Sequence, residues 1–357
     1  MNREWATLTA TVSLTVVAGV VHFTVGDAAG AYASALPLIL VAPLIAMGCD
    51  SLRGRLSASV LGIVQSAFGN VAEFALTLLA LRANLPEVVR IAIAGSILGN
   101  ALLLGGIAGL MPTFRERGRN LKSLRFDHHL FSSIATLAVV AVVPIAILSF
   151  GTTSELGKKA REDISLAAGI GLLAIGVLFL VTELRKPQEP ESADEGGTIH
   201  NVLSGRAAVL FLAVGGVVAA LTSDWFVAGF ESAVHDLGIP TAFAALVIIP
   251  LLGNVAENYV AIRFAWQGAG DAAMAVIMHS VVQIATLMTG ALLVASWFIG
   301  DNPLTLQYQT VVAISLVLSL IVLWIIVQDG ELEPVEALAL IVIYGILATS
   351  VWVEQVA

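Results

Sequence analysis

The stretch LLGNVAENYVAI (residues 251–262) places a glutamate between two asparagines inside an apolar run that is long enough to cross a membrane. The stretch AFGNVAEFALTL (residues 67–78) places a second glutamate in a similar run. Both stretches contain Gly-Asn-Val-Ala-Glu. Because a carboxylate at the centre of a membrane helix costs about 2.5–3.5 kcal/mol on insertion scales, two such residues require a compensating role.

The composition around these stretches is that of an integral membrane protein. Of the 357 residues, 58% are hydrophobic and 12% are charged, whereas charged residues make up about 25% of soluble domains. The apolar runs have the length of membrane helices, whereas barrel strands are about 10 residues long and alternate apolar with polar residues. We therefore predict an all-α integral membrane protein with the lipid bilayer as its surroundings. The net charge of −9 argues against a nucleic-acid partner.

Apolar runs of about 20 residues predict eleven transmembrane helices. They lie near residues 5–25, 32–49, 57–82, 85–110, 127–150, 164–183, 205–227, 239–265, 270–299, 306–328 and 333–353. The first run lacks a strongly basic start and a clear cleavage site, so we interpret it as a retained span. The single cysteine, Cys49, excludes an internal disulfide.

Matching polar residues recur at an interval of 184 positions without a gap. The pairs are Gly69 and Gly253, Asn70 and Asn254, Glu73 and Glu257, and Ser96 and Ser280. If the first helix stands alone, each repeat contains five helices, and an odd number inverts the second copy relative to the first. Inverted repeats that bring broken helices together at the bilayer midplane are the architecture of secondary transporters.

This repeat predicts four parts of the chain. They are an extra N-terminal span (1–30), a first five-helix repeat (31–183), a linker (184–204) and a second, inverted five-helix repeat (205–357). The linker is rich in Pro, Glu and Gly and is predicted to be flexible and cytoplasmic. Its run of Glu189, Glu191, Asp194 and Glu195 is interpreted as a solvated segment, with a regulatory cation site as the alternative.

The repeated residues form a set of oxygen ligands. In each Gly-Asn-Val-Ala-Glu segment the asparagine and the glutamate are three positions apart and share a helix face. The predicted metal ligands are Glu73, Glu257, Asn70, Asn254, Ser96, Ser280 and Gln283. Main-chain carbonyls freed where Gly69 and Gly253 loosen their helices could add to them. Because Ca²⁺ takes 6–8 oxygen ligands and two carboxylates can instead hold two protons, the set could exchange Ca²⁺ for H⁺.

Structural roles are the alternative for some of these polar residues. Asn and Ser in membrane helices often form hydrogen bonds between helices that hold a bundle together. For Asn100, Ser96 and Ser280 this structural role explains the residue as well as a role in ion binding does. His279 occupies the place of Gly95 in the first repeat and is either a proton relay or a packing residue. The glutamates are different, because a structural role does not explain two buried carboxylates in register.

At these residues the sequence resembles the cation/proton exchangers of the calcium/cation antiporter superfamily. Each half of those proteins carries Gly-Asn-x-x-Glu, followed by a Gly-Ser or Ser-x-x-Gln element. Here the elements are GNVAE (69–73), GSILGN (95–100), GNVAE (253–257) and HSVVQ (279–283). The resemblance extends to the eleven-span layout and the acidic segment between spans six and seven.

The resemblance implies that Glu73 and Glu257 carry Ca²⁺ and H⁺ in alternation, without a cofactor or catalytic residues. Further lining residues would be Asn100, Asn258, His279, Gly69 and Gly253. Asn258 stands where the family commonly has His, and His279 replaces a Gly. The Gly-Thr-Ser element of the sodium-coupled relatives is absent from the sequence, which favours H⁺ over Na⁺ as the driving ion.

Other functions stay open on the sequence alone. Within transport, the alternative is a Na⁺-coupled or less selective cation exchanger. A passive cation channel could keep both glutamates but would not need inverted repeats, and a membrane scaffold would have no reason to keep the site in register. The sequence also leaves open whether the protein forms a homo-oligomer.

Basic residues predict the orientation of the chain in what we expect to be a prokaryotic cell membrane. Of the 17 Lys and Arg residues, twelve fall on the side of the N-terminus and the linker and five on the other side. Because positive residues are retained inside, we expect a cytoplasmic N-terminus and an extracytoplasmic C-terminus. Reporter fusions at Ala357 and near Glu195 should report opposite sides of the membrane. Reporters on the same side would mean that the number of spans is wrong by one.

Overall fold

The structure, a computed structural model, describes residues 3–52, 56–116, 121–150, 157–185, 203–299 and 302–356. The α-helices are α1 (Arg3–Val25), α2 (Asp27–Leu52), α3 (Ala58–Gly69), α4 (Val71–Arg82), α5 (Pro86–Leu98), α6 (Gly105–Arg115), α7 (His128–Ala141), α8 (Val143–Phe150), α9 (Lys158–Arg185), α10 (Gly205–Asp236), α11 (Thr241–Phe243), α12 (Ile249–Gly253), α13 (Val255–Gln267), α14 (Gly270–Gln283), α15 (Thr289–Ala295), α16 (Thr310–Asp329) and α17 (Pro334–Val356). Three π-helical turns are π1 (Gly99–Leu104), π2 (Ala244–Ile248) and π3 (Ile284–Met288). The two short strands are β1 (Leu124–Arg125) and β2 (Glu331–Leu332).

The helices confirm the all-α membrane fold. Among the described residues, ten spans are long and apolar enough to cross a membrane, and the bent pair Thr241–Gly253 and Val255–Gln267 would make eleven. That bent pair coincides with the predicted span 239–265. The linker predicted at 184–204 falls almost wholly outside the described residues, as do its four acidic residues.

Each Gly-Asn-Val-Ala-Glu segment contains a helix break at its asparagine. Helix α3 ends at Gly69 and α4 begins at Val71, whereas α12 ends at Gly253 and α13 begins at Val255. The second break bends the chain by 63°, while Val60–Arg82 passes through the first break as one span. The two glycines therefore end their helices, and each glutamate lies in the first turn of the helix that follows.

The spans after the two breaks carry matching irregularities. Turn π1 separates α5 from α6, and π3 separates α14 from α15. The helices α4 and α13, α5 and α14, and α6 and α15 begin 184 positions apart. π-helical turns inside α-helices are frequently found at functional sites, and here both lie beside the helix breaks.

The two spans that carry π1 and π3 form the centre of the molecule. In their most apolar stretches, 83% of the residues of Pro86–Arg115 and 89% of those of Gly270–Ala295 are buried, against 22% for α1, α9 and α17. The packing contacts around this centre come in matched pairs: α4 packs on α10 and α13 on α2, and α9 packs on α15 and α17 on α6. Such pairs are what two inverted repeats require, although the limits of the repeats, 31–183 and 205–357, stay a prediction.

Two polar segments mark the opposite faces of the molecule. At the first, called the sheet face, β1 pairs with β2 in antiparallel register, and the Asp127 backbone N–H donates to Asp271 Oδ1 at 2.7 Å. At the other face, residues 302–309 lie across the ends of α5 and α9. There Arg90 Nη1 donates to Thr305 Oγ1 at 2.9 Å, so that each face is fixed by contacts between distant parts of the chain.

A glycine on α6 allows that helix to pack closely against α17. A Cβ atom at Gly106 would lie 2.5 Å from the Ala337 carbonyl oxygen. At the adjacent Gly105, the atom nearest to a Cβ would be the Asn100 carbonyl oxygen, at an ordinary 3.7 Å. We expect Gly106→Ala to destabilise the protein by about 1–3 kcal/mol through overpacking. Gly105→Ala should be neutral or stabilising by up to about 1 kcal/mol, because glycine weakens a helix interior.

Thermal unfolding of the two variants in the same detergent would measure this difference. The expected order of midpoints is Gly105→Ala at or above the wild type and Gly106→Ala below it. Equal midpoints for both variants would contradict the close packing of α6 and α17.

Candidate functional site

The two glutamates occupy equivalent positions at the helix breaks. Glu73 is the third residue of α4 and Glu257 the third of α13, and the side chains of both are fully buried. The positive end of a helix dipole stabilises a negative charge in its first turn. Each break therefore supplies a partial positive charge where its carboxylate lies.

Each glutamate packs against the glycine of the other segment. A Cβ atom built on Gly69 would lie 2.3 Å from Glu257 Cγ and 2.9 Å from its Oε1. A Cβ atom built on Gly253 would lie 3.0 Å from Glu73 Cβ. The two segments thus cross at their helix breaks, and a larger side chain at either glycine would displace the opposite glutamate.

A chain of hydrogen bonds holds the Glu257 carboxylate. Ser280 Oγ donates to Glu257 Oε2 at 2.6 Å, and Asn100 Nδ2 donates to Ser280 Oγ at 2.7 Å. Ser66 also lies close to this carboxylate and accepts a 3.1 Å hydrogen bond from Asn70 Nδ2. Residues of both halves therefore surround Glu257.

The buried Glu73 carboxylate has polar groups around it. Ser96 and Asn254 lie beside it, but within the described part of the chain no hydrogen bond of ordinary geometry reaches either carboxylate oxygen. The Ser96 hydroxyl and both polar atoms of the Asn254 amide are likewise buried without a partner there. Because an unsatisfied buried polar group costs about 1–3 kcal/mol, small movements that let these groups bond to one another, or a water molecule or ion bound between them, would stabilise this arrangement.

No basic side chain balances the two carboxylates. The groups that interact with Glu73 and Glu257 in the described residues are hydroxyls, amides and the other carboxylate. The ion pairs between described residues all lie elsewhere. A pair of buried carboxylates without a basic partner is stable only with protons or with a bound cation.

Two cavities adjoin this centre from opposite faces. The sheet-side cavity, of about 190 Å³, is lined by Ser96, Asn100, Asn254 and Asn258 and extends along α6 and α13 towards the sheet face. The far-side cavity, of about 340 Å³, is lined by Asn70, Val71, Phe74, Gln283, Leu287, Met288 and others, and extends along α4 and α15 towards residues 302–309. A cavity thus lies on each side of the centre, while the two glutamates themselves are buried and line neither cavity.

The predicted site residues do not all meet at one point. Gln283 lies with Asn70 on the far-side cavity, whereas Asn258 lies on the sheet-side cavity. His279 is buried on another face of α14, where its Nδ1 lies 2.8 Å from the Ala275 carbonyl oxygen and its ring lies against Phe179. These contacts favour the packing role for His279 over the proton relay.

Sequence reasoning missed two polar residues near the centre. Ser66 precedes Asn70 by four positions, so helical spacing alone could have placed it on the same face. Tyr344 lines the sheet-side cavity from α17. It has no counterpart in the repeated motif, and the only signal in the sequence is a hydroxyl-bearing residue inside an apolar span.

Two carboxylates at crossed helix breaks, flanked by cavities and lined with oxygen atoms, are the features expected of a membrane protein that exchanges cations. The sequence matches the family described as sodium/calcium exchanger protein over residues 5–185 and 207–353. The chain belongs to that family.

Relatives of similar length carry more specific names. The chain is 26% identical over 354 residues to the Ca²⁺/H⁺ antiporter ChaA of Bacillus subtilis, covering 98% of both chains. It is 27% identical over 317 residues to the vacuolar calcium ion transporter of Schizosaccharomyces pombe, covering 87% of this chain and 76% of the relative. Both alignments cover most of the chain and therefore include both of its halves.

Solved structures show the same fold. The native structure of YfkE superposes with a TM-score of 0.76 at 22% identity and covers 98% of this chain and 99% of its own. The H⁺/Ca²⁺ exchanger CAX gives a TM-score of 0.75 at 14% identity over 99% of this chain and 93% of its own. The helical arrangement is therefore that of known membrane exchangers.

Proposed function

We propose that the protein is a secondary active antiporter that exchanges Ca²⁺ for H⁺ across the membrane by alternating access. The observation that carries this proposal is the pair of fully buried carboxylates, Glu73 and Glu257, without a basic partner in the described residues. Such a pair can be neutralised either by one divalent cation or by two protons. The names of the Bacillus subtilis relative and of the structural neighbours support the choice of these two ions.

The donor set suits a hard cation. Carboxylate, amide and hydroxyl oxygens are the ligands that Ca²⁺ accepts, in flexible geometry and in numbers of 6–8. Glu73, Glu257, Ser96 and Asn254 would supply oxygens at the centre, and water in the adjoining cavities would complete the shell. Asn70 and Gln283 would contribute from the far-side cavity. Soft ligands are absent from this set, which disfavours copper and other thiophilic ions.

Protons would replace the cation after its release. A charged carboxylate in this centre is costly without a counter-charge, so each glutamate would take up a proton as Ca²⁺ leaves. The protonated Glu73 could then donate to the carbonyl oxygen of the Asn254 amide, which is otherwise without a partner in the described chain. Binding of one ion would thereby exclude the other.

Alternating access would use the difference between the two breaks. The bend of 63° at the second break has no equal at the first, although the two segments have the same pentapeptide. If the first break became bent and the second became straighter, the centre would become accessible from the other cavity. In the predicted orientation the sheet face is cytoplasmic.

Removal of one carboxylate charge tests the site. We expect Glu73→Gln or Glu257→Gln to reduce exchange at least about 100-fold while the protein remains folded, because an ion ligand is lost and the insertion cost falls. The matched control is Glu183→Gln, since Glu183 is a buried glutamate at the end of α9 that lines neither cavity. This variant should retain exchange.

Sealed vesicles with an imposed proton gradient provide the measurement. The wild type should accumulate Ca²⁺ against its concentration gradient, and the two site variants should not. Uphill transport driven only by a Na⁺ gradient would favour the sodium-coupled alternative, and downhill flux alone would indicate a channel. Full exchange by either site variant would mean that the ions bind elsewhere.

Competition between the two ions tests the sharing of one site. Ca²⁺ binds deprotonated carboxylates, so its affinity must fall as the pH falls. With two carboxylates, log Kd should change by up to about two per pH unit on the acid side, and Ca²⁺ binding should release up to about two protons. By linkage, protons and Ca²⁺ must weaken each other's binding by the same factor.

Calorimetry of Ca²⁺ binding to the purified protein, carried out at several pH values and in buffers of different ionisation enthalpy, would give both quantities. The Glu183→Gln variant should reproduce the wild-type slope. An affinity that is independent of pH, without proton release, would rule out a shared site.

A further inference from the structure

Tyr344 is a buried polar residue in an otherwise apolar part of α17. Only 5% of its surface is exposed. Its hydroxyl group has no hydrogen-bond partner among the described residues. Because a buried hydroxyl is rarely left unsatisfied, a partner from outside the described residues is expected, and water is the simplest one.

The position of this hydroxyl is fixed by the packing of α17. The close contact between Gly106 and Ala337 holds α17 against α6. A Cβ atom at Gly99 would lie 3.9 Å from the Tyr344 hydroxyl oxygen, so the ring extends over a glycine at the start of π1. The hydroxyl is therefore presented to the sheet-side cavity by two rigid elements.

Polar side chains from three elements line this cavity. They are the Tyr344 hydroxyl from α17, the Ser96 hydroxyl from α5 and the Asn254 amide from the second helix break. The cavity volume of about 190 Å³ leaves room for several waters, since one water occupies about 30 Å³ in the liquid. Most of the cavity wall is apolar, and apolar cavities stay dry, so waters could be held only where the polar side chains of the wall supply their hydrogen bonds.

A second cavity lies next to this one, nearer the sheet face. Ile262 lines both this cavity and the second one, of about 220 Å³, whose wall includes Met111, Arg263 and Trp266. At its other end the first cavity reaches Ser96 and Asn254, which lie beside Glu73. Tyr344 thus lines a cavity that has Ser96 and Asn254, the neighbours of Glu73, at one end and the second cavity beside its other end.

We propose that Tyr344 is a positioning residue in a hydrated route from the sheet face to Glu73, where its hydroxyl binds the water shell of the entering or leaving cation. This inference rests on the proposed exchange of Ca²⁺. A phenol can donate one hydrogen bond and accept others, so it can replace bulk water around a hydrated ion. Phenylalanine would keep the ring and its packing but leave the waters without that partner.

The first test compares Tyr344→Phe with Tyr308→Phe. Tyr308 is also buried but belongs to residues 302–309 at the far face and lines neither cavity. In vesicles with a proton gradient, Tyr344→Phe should slow Ca²⁺ exchange by about 3–10-fold, the effect of one lost hydrogen bond. Equilibrium Ca²⁺ binding and its pH dependence should be unchanged, because Glu73 and Glu257 remain. Tyr308→Phe should match the wild type.

The second test measures hydration directly and does not depend on transport. Tyr344→Cys should react with a small, membrane-impermeant cationic thiol reagent added at the sheet face, and should react much more slowly from the far face. The matched control is Ile346→Cys, since Ile346 lies two positions along α17 on its outer surface, 60% exposed, where lipid excludes the reagent. The wild type gives the background, because its only cysteine, Cys49, is buried.

The outcomes separate this inference from the proposed function. Wild-type protein that fails to exchange Ca²⁺ for H⁺ overturns the proposed function, while labelling still decides whether the cavity is hydrated. An active wild type with an equally active Tyr344→Phe variant, or a Tyr344→Cys variant that is unreactive from the sheet face, overturns the inference. Reaction from the sheet face together with slower exchange supports it.

Discussion

The structure depends on two carboxylates that are buried inside a membrane protein. Neither carboxylate has a basic partner among the described residues. Each would cost about 2.5–3.5 kcal/mol in a simple helix centre. The protein reduces this cost by breaking the helix just before each glutamate, so that Glu73 and Glu257 lie in the positive first turn of a new helix. Gly69 and Gly253 then let the two breaks cross, because each glycine leaves space for the opposite glutamate.

This crossing determines the arrangement of the remaining helices. Two breaks can meet in the middle of a membrane only if spans enter from opposite directions, which inverted repeats achieve. The matched start points of α4 and α13, α5 and α14, and α6 and α15 place a π-helical turn beside each break. The matched contacts of α9 on α15 and of α17 on α6 then enclose the two central spans. The outer helices consequently keep apolar surfaces for lipid.

The sequence predicted the spans and the central pair of glutamates well, because hydropathy depends on local composition and the ungapped interval of 184 positions can be read directly from the sequence. The angle at a break depends on tertiary packing, so identical pentapeptides gave no sign that only the second break is bent by 63°. Tyr344 could not be predicted as a residue near the centre, because the neighbours of a single hydroxyl in an apolar helix also depend on tertiary packing. His279 could be assigned only from its contacts with Ala275 and Phe179.

The two glutamates are unequal, and the sequence contains the reason. Asn100 follows Ser96 by four positions, whereas Gln283 follows Ser280 by three, which rotates the second amide by about 100° around its helix. Asn100 consequently reaches Ser280 and supports Glu257, while Gln283 faces the far-side cavity. A one-residue shift between the repeats therefore gives Glu257 the hydrogen-bond chain of Ser280 and Asn100, whereas Glu73 has Ser96 and Asn254 beside it. An ion bound between the two glutamates would therefore meet different ligands on its two sides.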